Sequence, residues 1–233
     1  MNVVITMAGL GTRFSAVGFT VPKYQIEVRG KTLFEWSMSS LHAFRQFPFI
    51  FLVRREDHAS EFIKETCARM KITPTIIELE RVTRGQAETA LLASAVWNED
   101  APLLVYNIDT YVEPGQLRPE LIAGDGFIPC FSAEGTHWSF VAIGYDGRAI
   151  DVREKERISD HCSIGAYYFR SAKLYAELYD EFYVRATDAK EQYIAPMYNR
   201  LIERGGDVRI QEIESQFVHV LGTPEEVEVF SRV

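Results

Sequence analysis

Cysteine is scarce in this 233-residue chain: Cys67, Cys130 and Cys162 are odd in number and show no Cys-x-x-Cys spacing. A disulfide framework or a zinc knuckle is therefore not expected, and the thiols read as reduced in a cytoplasm. Positive charge is also short, with 25 Lys and Arg against 33 Asp and Glu, a formal net charge of −8. Nucleic acids and membrane surfaces need clustered cations to displace counterions, so neither is expected as a partner. No apolar run approaches the length of a membrane span. The first apolar stretch is short and has no basic segment before it, so no signal peptide is expected. His58, His137 and His161 are too scattered for a metal site. There is no repeat of fixed period and no Pro/Gly/Ser-rich linker, which predicts one continuous domain over 1–233. A homo-oligomer is compatible with the sequence.

What the chain does have is a phosphate grip at its start. The apolar strand Val3-Val4-Ile5-Thr6-Met7 runs into Ala8-Gly9-Leu10-Gly11-Thr12-Arg13-Phe14, and Pro22-Lys23 follows. Two glycines let the backbone turn tightly and present N–H groups to an anion, while Arg13 and Lys23 add two cations. A dinucleotide fingerprint fits less well, because Phe14 stands where a third glycine would be needed. A Walker loop fits no better, since Lys23 is followed by Tyr24. The small polyanion that suits this loop is a polyphosphate.

Downstream, Leu33, Trp36, Met38, Leu41 and Phe44 recur at helical spacing, Phe49–Val53 and Thr75–Leu79 read as strands, and a helix is predicted around Glu61 to Met70. Gly85-Gln86-Ala87-Glu88-Thr89 opens a helix running to about Trp97, and Leu103–Tyr106 is a central strand ending at Asn107-Ile108-Asp109. This rhythm predicts a Rossmann-like, doubly wound α/β sheet that is mixed but mostly parallel. Asp109 then belongs at the carboxyl edge where ligands bind. From Phe127 the pattern shifts to Phe127–Phe131, Ser139–Ile143 and Ala149–Val152, predicting a small antiparallel acceptor-side layer. A strand over Ile164–Phe169, helices around Ala172–Phe182 and Glu191–Arg204, and strands Val208–Ile210 and Phe217–Val220 are expected to complete the sheet.

In their order and spacing these segments resemble the sugar-phosphate nucleotidyltransferases. The resemblance rests on Gly9–Phe14, Pro22-Lys23, Gly85-Gln86-Ala87, Asn107-Ile108-Asp109, Glu154-Lys155, Gly165–Phe169 and Gly222-Thr223-Pro224-Glu225, and covers nearly the whole chain. It implies that Ala8, Gly9, Gly11 and Thr12 hold a triphosphate, with Arg13 near the departing pyrophosphate and Lys23 near the α-phosphate. Gly85 and Gln86 would read the nucleobase, which the sequence leaves unspecified. Asp109 would hold Mg²⁺, the implied cofactor. Asn107, Glu154, Lys155, Gly165 and Asn199 would bind the phosphorylated acceptor. Arg13, Lys23 and Asp109 are the candidate catalytic residues.

The chain departs from the family in one place: Val220 stands where relatives carry a second metal-binding Asp. Glu212 or Glu214 could substitute only if the fold brought one of them round, and His219 reads as a strand residue. The implied reaction joins a nucleoside triphosphate to a sugar 1-phosphate, giving an NDP-sugar for surface polysaccharide such as a capsule. Two alternatives stay open. One is a cytidylyltransferase acting on phosphocholine or a phosphorylated amino-acid derivative. The other is a non-catalytic nucleotide-binding module. A second, acetyl-transferring β-helix domain is not expected.

Overall fold

The computed structural model describes residues 1–185 and 189–232. Its centre is a ten-stranded sheet whose parallel half runs in the spatial order Pro74–Leu79, Phe49–Arg54, Asn2–Thr6 and Leu103–Asn107. The three inner strands are rich in Val, Ile, Leu or Phe, as strands covered on both faces must be, while the edge strand Pro74–Leu79 is only partly buried. Val3, Val4, Ile5, Phe49, Phe51, Leu52, Leu103 and Val105 are all fully buried. The register sets Thr6 beside Asn107, so the two strands leading to the glycine loop and to Asp109 end side by side.

Beyond Leu103–Asn107 the sheet turns antiparallel. Ala166–Phe169 pairs with it, Gly126–Phe131 pairs with Ala166–Phe169, and Ser139–Ile143 and Ala149–Glu154 form the far edge. These antiparallel strands thus extend the same sheet. Between them, Cys162–Ser163 bridges Gly126–Phe131 and Ser139–Ile143. Val208–Glu212 joins parallel to Gly126–Phe131. Apolar side chains fill the space on both sides of the sheet, in two large clusters centred on residues such as Phe34 and Tyr106 on one side and Tyr175 and Tyr198 on the other. The cysteines Cys67, Cys130 and Cys162 are free and buried.

Two elements differ from the sequence reading. The segment Val218–Val220 does not close the main sheet; it pairs with Thr110–Val112 in a separate two-stranded ribbon. Its register puts Val220 opposite Thr110, carrying the late Gly222-Thr223 pair back beside Asp109. The helix expected from Glu191 begins later, as a tight turn over Ala195–Met197 leading into Tyr198–Glu203. Residues 191–193 stay outside the helix, because the backbone of Gln192 and Tyr193 is committed elsewhere. Gln192 donates its N–H to Arg84 and accepts from the Ala87 N–H, both at 2.9 Å, while Tyr183 donates to the Tyr193 carbonyl. This strap crosses the sheet edge above the Gly85 turn.

Candidate active site

The first strand ends at Thr6, and the chain turns through Met7–Leu10 to Gly11, whose φ of 62° launches the short helix Thr12–Ala16. The loop folds back against Lys23, so that a Cβ on Gly11 would lie 4.0 Å from the Lys23 Cβ. Lys23 Nζ donates to Asp109 Oδ2 at 2.5 Å, with both side chains only partly exposed. Asp109 is fixed by its backbone on both sides. Ser37 Oγ donates to the Ile108 carbonyl at 2.9 Å, and the Leu221 N–H donates to the Asp109 carbonyl at 2.8 Å.

Two adjoining clefts open at this edge. The first, about 270 Å³, lies between Ala8-Gly9 and Gly85-Gln86. The second, about 330 Å³, reaches from Arg13 to Glu154, Lys155 and Gly165. They share Gln86, Asn107, Asp109, Glu191 and Tyr193. Asp109, the partner of Lys23, therefore lies at the seam between them.

On the first cleft, Gly85 has a φ of 151°, and a Cβ there would lie 2.4 Å from the Gln192 carbonyl oxygen. Only glycine lets the strap pass so close. Gln86 opens the helix Gln86–Leu91 and donates its Nε2 to Thr6 Oγ1 at 3.2 Å. Two residues on, the nearly buried Glu88 carboxylate accepts from Arg81, from the Arg84 N–H and from the Arg84 guanidinium. Burial alone would raise its pKa, but these donors outweigh it and hold the carboxyl at about 2. Glu88 therefore anchors the turn that presents Gln86.

On the second cleft, Glu154 ends its strand opposite Ser139, whose hydroxyl donates to it and also lies 3.2 Å from the Tyr167 hydroxyl. Burial raises the Glu154 pKa, against the opposing pull of the Ser139 bond and the Lys155 charge. Lys155 adopts a left-handed backbone, φ 58°, and its N–H donates to the Trp138 carbonyl at 2.8 Å. Gly165, φ 82°, accepts the Asn107 N–H at 3.1 Å.

The fold thus gathers Ala8, Gly9, Arg13, Lys23, Gly85, Gln86, Asn107, Asp109, Glu154, Lys155 and Gly165 at one edge. Gly11 and Thr12 shape the loop without lining either cleft. Asn199 stands apart: its amide makes two 2.9 Å bonds to the Val152 backbone, an edge cap on a strand. Glu212 pairs with His161, and neither Glu212 nor Glu214 lines the clefts. His219 stacks on Tyr111 at 5.3 Å and faces Glu113.

Among the cleft residues not foreseen are Trp138, Glu191, Tyr193 and Glu226. For Glu226 a signal existed, since Thr223-Pro224-Glu225-Glu226 spells a capping box, which forms at the start of Pro224–Ser231. Glu226 Oε2 and Asp109 Oδ2 each lie 3.5 Å from where a Cβ on Gly222 would sit, so a second carboxylate does approach Asp109. Val220 itself turns an apolar side chain to the same cleft. Among the described residues no cluster of three or more acidic, His or Cys side chains could hold a metal alone. The hard oxygen donors of Asp109, with Glu226 close by, suit a Mg²⁺ ion completed by phosphate oxygens and water.

Neither a protein-family model nor a curated protein matches the chain at significance. Solved structures do. The chain is similar to the nucleoside-diphosphate-sugar pyrophosphorylase from Vibrio cholerae RC9, at 35% identity with 100% of both chains covered and a TM-score of 0.92. More distant likenesses share the fold. One is the CTP:phosphocholine cytidylyltransferase from Streptococcus pneumoniae, 18% identical over 99% of this chain and 97% of that one, TM-score 0.78. Another is the inositol-1-phosphate CTP transferase from T. maritima, 14% identical over 99% and 95%, TM-score 0.78.

Proposed function

This chain belongs to the sugar-phosphate nucleotidyltransferase family, and we propose that it joins a nucleoside triphosphate to a small phosphorylated acceptor with release of pyrophosphate. The observation that carries this reading is that Asp109, which borders both clefts, is paired with Lys23. A transfer reaction needs its cation and its metal-binding carboxylate between donor and acceptor, and a module that only bound nucleotide would have less need of them there.

In this reading the triphosphate lies along Ala8-Gly9 with its base toward Gly85-Gln86. The acceptor phosphate is already ionised at neutral pH, so its oxygen attacks the α-phosphorus in line without a general base. Lys23 leaves Asp109 to neutralise the α-phosphate, and Arg13 meets the departing pyrophosphate. Such transfers depend on charge neutralisation and alignment more than on covalent help. Mg²⁺ would be held by Asp109 and phosphate oxygens, supplying charge to stabilise the leaving group. Gln86 and Asn107 fix the donor and acceptor relative to each other, since both side chains border the two clefts.

The acceptor in the first reading is a sugar 1-phosphate, giving an NDP-sugar for surface polysaccharide made in the cytoplasm by a chain acting as one catalytic domain. No helix among the described residues is long and apolar enough to cross a membrane. The test is pyrophosphate release with Mg²⁺, crossing ATP, CTP, GTP, UTP and dTTP with pooled sugar 1-phosphates and pooled non-sugar phosphates. Release in one combination, lost in Lys23→Ala, supports the reading. Nucleotide binding without release under any acceptor overturns it in favour of the binding module.

A further inference from the structure

Asp109 alone cannot hold Lys23 in place for the reaction, because Lys23 leaves that carboxylate to meet the α-phosphate. Its aim must then be set by its own backbone, and the chain leading to it gives little support: residues 15–21 are all exposed. The first buried side chain after Phe14 is that of Tyr24. Tyr24 shares the tight turn Lys23–Gln25, in which the Gln25 N–H donates to the Pro22 carbonyl at 2.8 Å and the Ile26 N–H to the Lys23 carbonyl at 3.1 Å. Its ring packs on Phe62, with centroids 6.2 Å apart, and its hydroxyl donates to Asp57 Oδ2 at 3.0 Å. We propose that Tyr24 and Asp57 are positioning residues of the transfer reaction, holding the turn that aims Lys23 at the α-phosphate.

The proposal rests on the nucleotidyl-transfer reading above, since Lys23 needs aiming only if a transition state forms in front of it. Asp57 is a firm anchor. Its side chain is only 4% exposed, and it ends the short turn Arg55–Asp57 that follows strand Phe49–Arg54, the parallel neighbour of the strand leading into the glycine loop. The Arg54 guanidinium donates to its other oxygen, so both carboxylate oxygens are engaged and the group is fixed in orientation. Burial first, and the Asp57 charge after it, push the Tyr24 phenol well above its ordinary range, so the hydroxyl remains the donor in this bond. The ring alone would satisfy the packing against Phe62. The hydroxyl adds a directional link from a rigid strand end to the residue beside Lys23.

Tyr24→Phe keeps the ring and removes the bond. With the nucleotide and acceptor found in the grid above, kcat is expected to fall by about tenfold, inside the loss that misplacing a catalytic group produces, while both KM values stay within about twofold of the parent. The discriminating measurement repeats Tyr24→Phe in the Lys23→Ala background, where kcat should change by less than about twofold because no ammonium is left to aim. Asp57→Ala is a second variant, with the same kcat loss and the same dependence on Lys23 expected. An unchanged kcat in Tyr24→Phe overturns the proposal alone. So does a loss of equal size with and without Lys23, or one expressed mainly as raised KM, which a general loosening of the fold would give. Silence of the parent protein across the whole grid overturns the nucleotidyl-transfer reading and the positioning role with it.

Discussion

Gly165 is the floor on which the Asn107 amide rests: a Cβ added at Gly165 would lie 2.1 Å from Asn107 Nδ2 and 2.5 Å from its Cγ. The contact ties the end of the central parallel strand to the first antiparallel one. Asn107 Oδ1 is buried without a hydrogen-bond partner, so the amide is held by packing and cannot tilt freely. Gly165→Ala combines this clash with a left-handed φ of 82°. It is expected to cost about 2–3 kcal/mol, read as a fall in melting temperature of roughly 4–12 °C. Any residual activity should show a raised KM for the acceptor.

Lys23 and Asp109 are expected to matter for rate far more than for stability. Their pair is partly solvated, so its loss costs about 1 kcal/mol or less, which urea denaturation would report as a nearly unchanged midpoint. Lys23→Ala should nevertheless lower kcat for pyrophosphate release by about 10²–10³, the range found when a charge-stabilising donor is removed. An unchanged kcat would remove Lys23 from the proposed mechanism.

Gly85→Ala tests the strap. The new methyl would meet the Gln192 carbonyl at 2.4 Å, and two backbone segments cannot both yield. Displacement of Gln192 would break its bonds to Arg84 and Ala87 and unseat Tyr193. The expected phenotype is weaker binding on both sides of the seam, measured as a rise in KM for nucleotide and acceptor together.

Glu88 gives a pH signature. Its folded pKa is depressed, so the stability it contributes is present above the unfolded value near 4.5 and is lost as pH falls through about 2. Glu88→Gln should therefore destabilise the protein by about 1–3 kcal/mol at pH 7. In denaturant titrations the gap between variant and parent should narrow as pH is lowered from 4.5 toward 2.

Glu154 has the opposite sign. Its raised pKa means that the folded state holds its proton more tightly than the unfolded chain does, so any stabilising contribution is present at low pH and lost as pH rises through the folded pKa. Removing the charge should help folding and harm function. Glu154→Gln is expected to raise stability by about 1 kcal/mol at neutral pH, with the gain disappearing in acid, while acceptor kcat/KM falls. A variant destabilised at neutral pH would contradict this account of the carboxylate.

The parallel half of the sheet was readable because its strands are short apolar runs bounded by polar or glycine-containing loops, a local signal. The candidate site was legible in part for the same reason: Ala8–Gly11, Gly85 and Asp109 sit at strand or helix ends, where composition marks a turn. Residues 191–194 were misread as helix because Tyr193, Ile194, Met197 and Tyr198 fall at helical spacing. Their actual partners, Arg84 and Ala87, lie about a hundred residues earlier, and no periodicity encodes them. The same blindness hid Tyr193 and Glu191 and assigned Asn199 to the acceptor when its amide is spent on Val152.

The sequence by itself therefore determined the identity of the sheet, the glycine turns and the charged residues available at their ends, because backbone geometry and burial act through neighbours along the chain. The tertiary structure alone decided which charges meet. Lys23 finds Asp109 across 86 residues, Glu226 approaches it through a ribbon that Val218–Val220 makes with Thr110–Val112, and Lys155 meets the Tyr193 hydroxyl because a strap crosses the sheet edge. Electrostatic pairing falls off with distance in space and is indifferent to distance in sequence, so these relationships become visible only once the chain has folded.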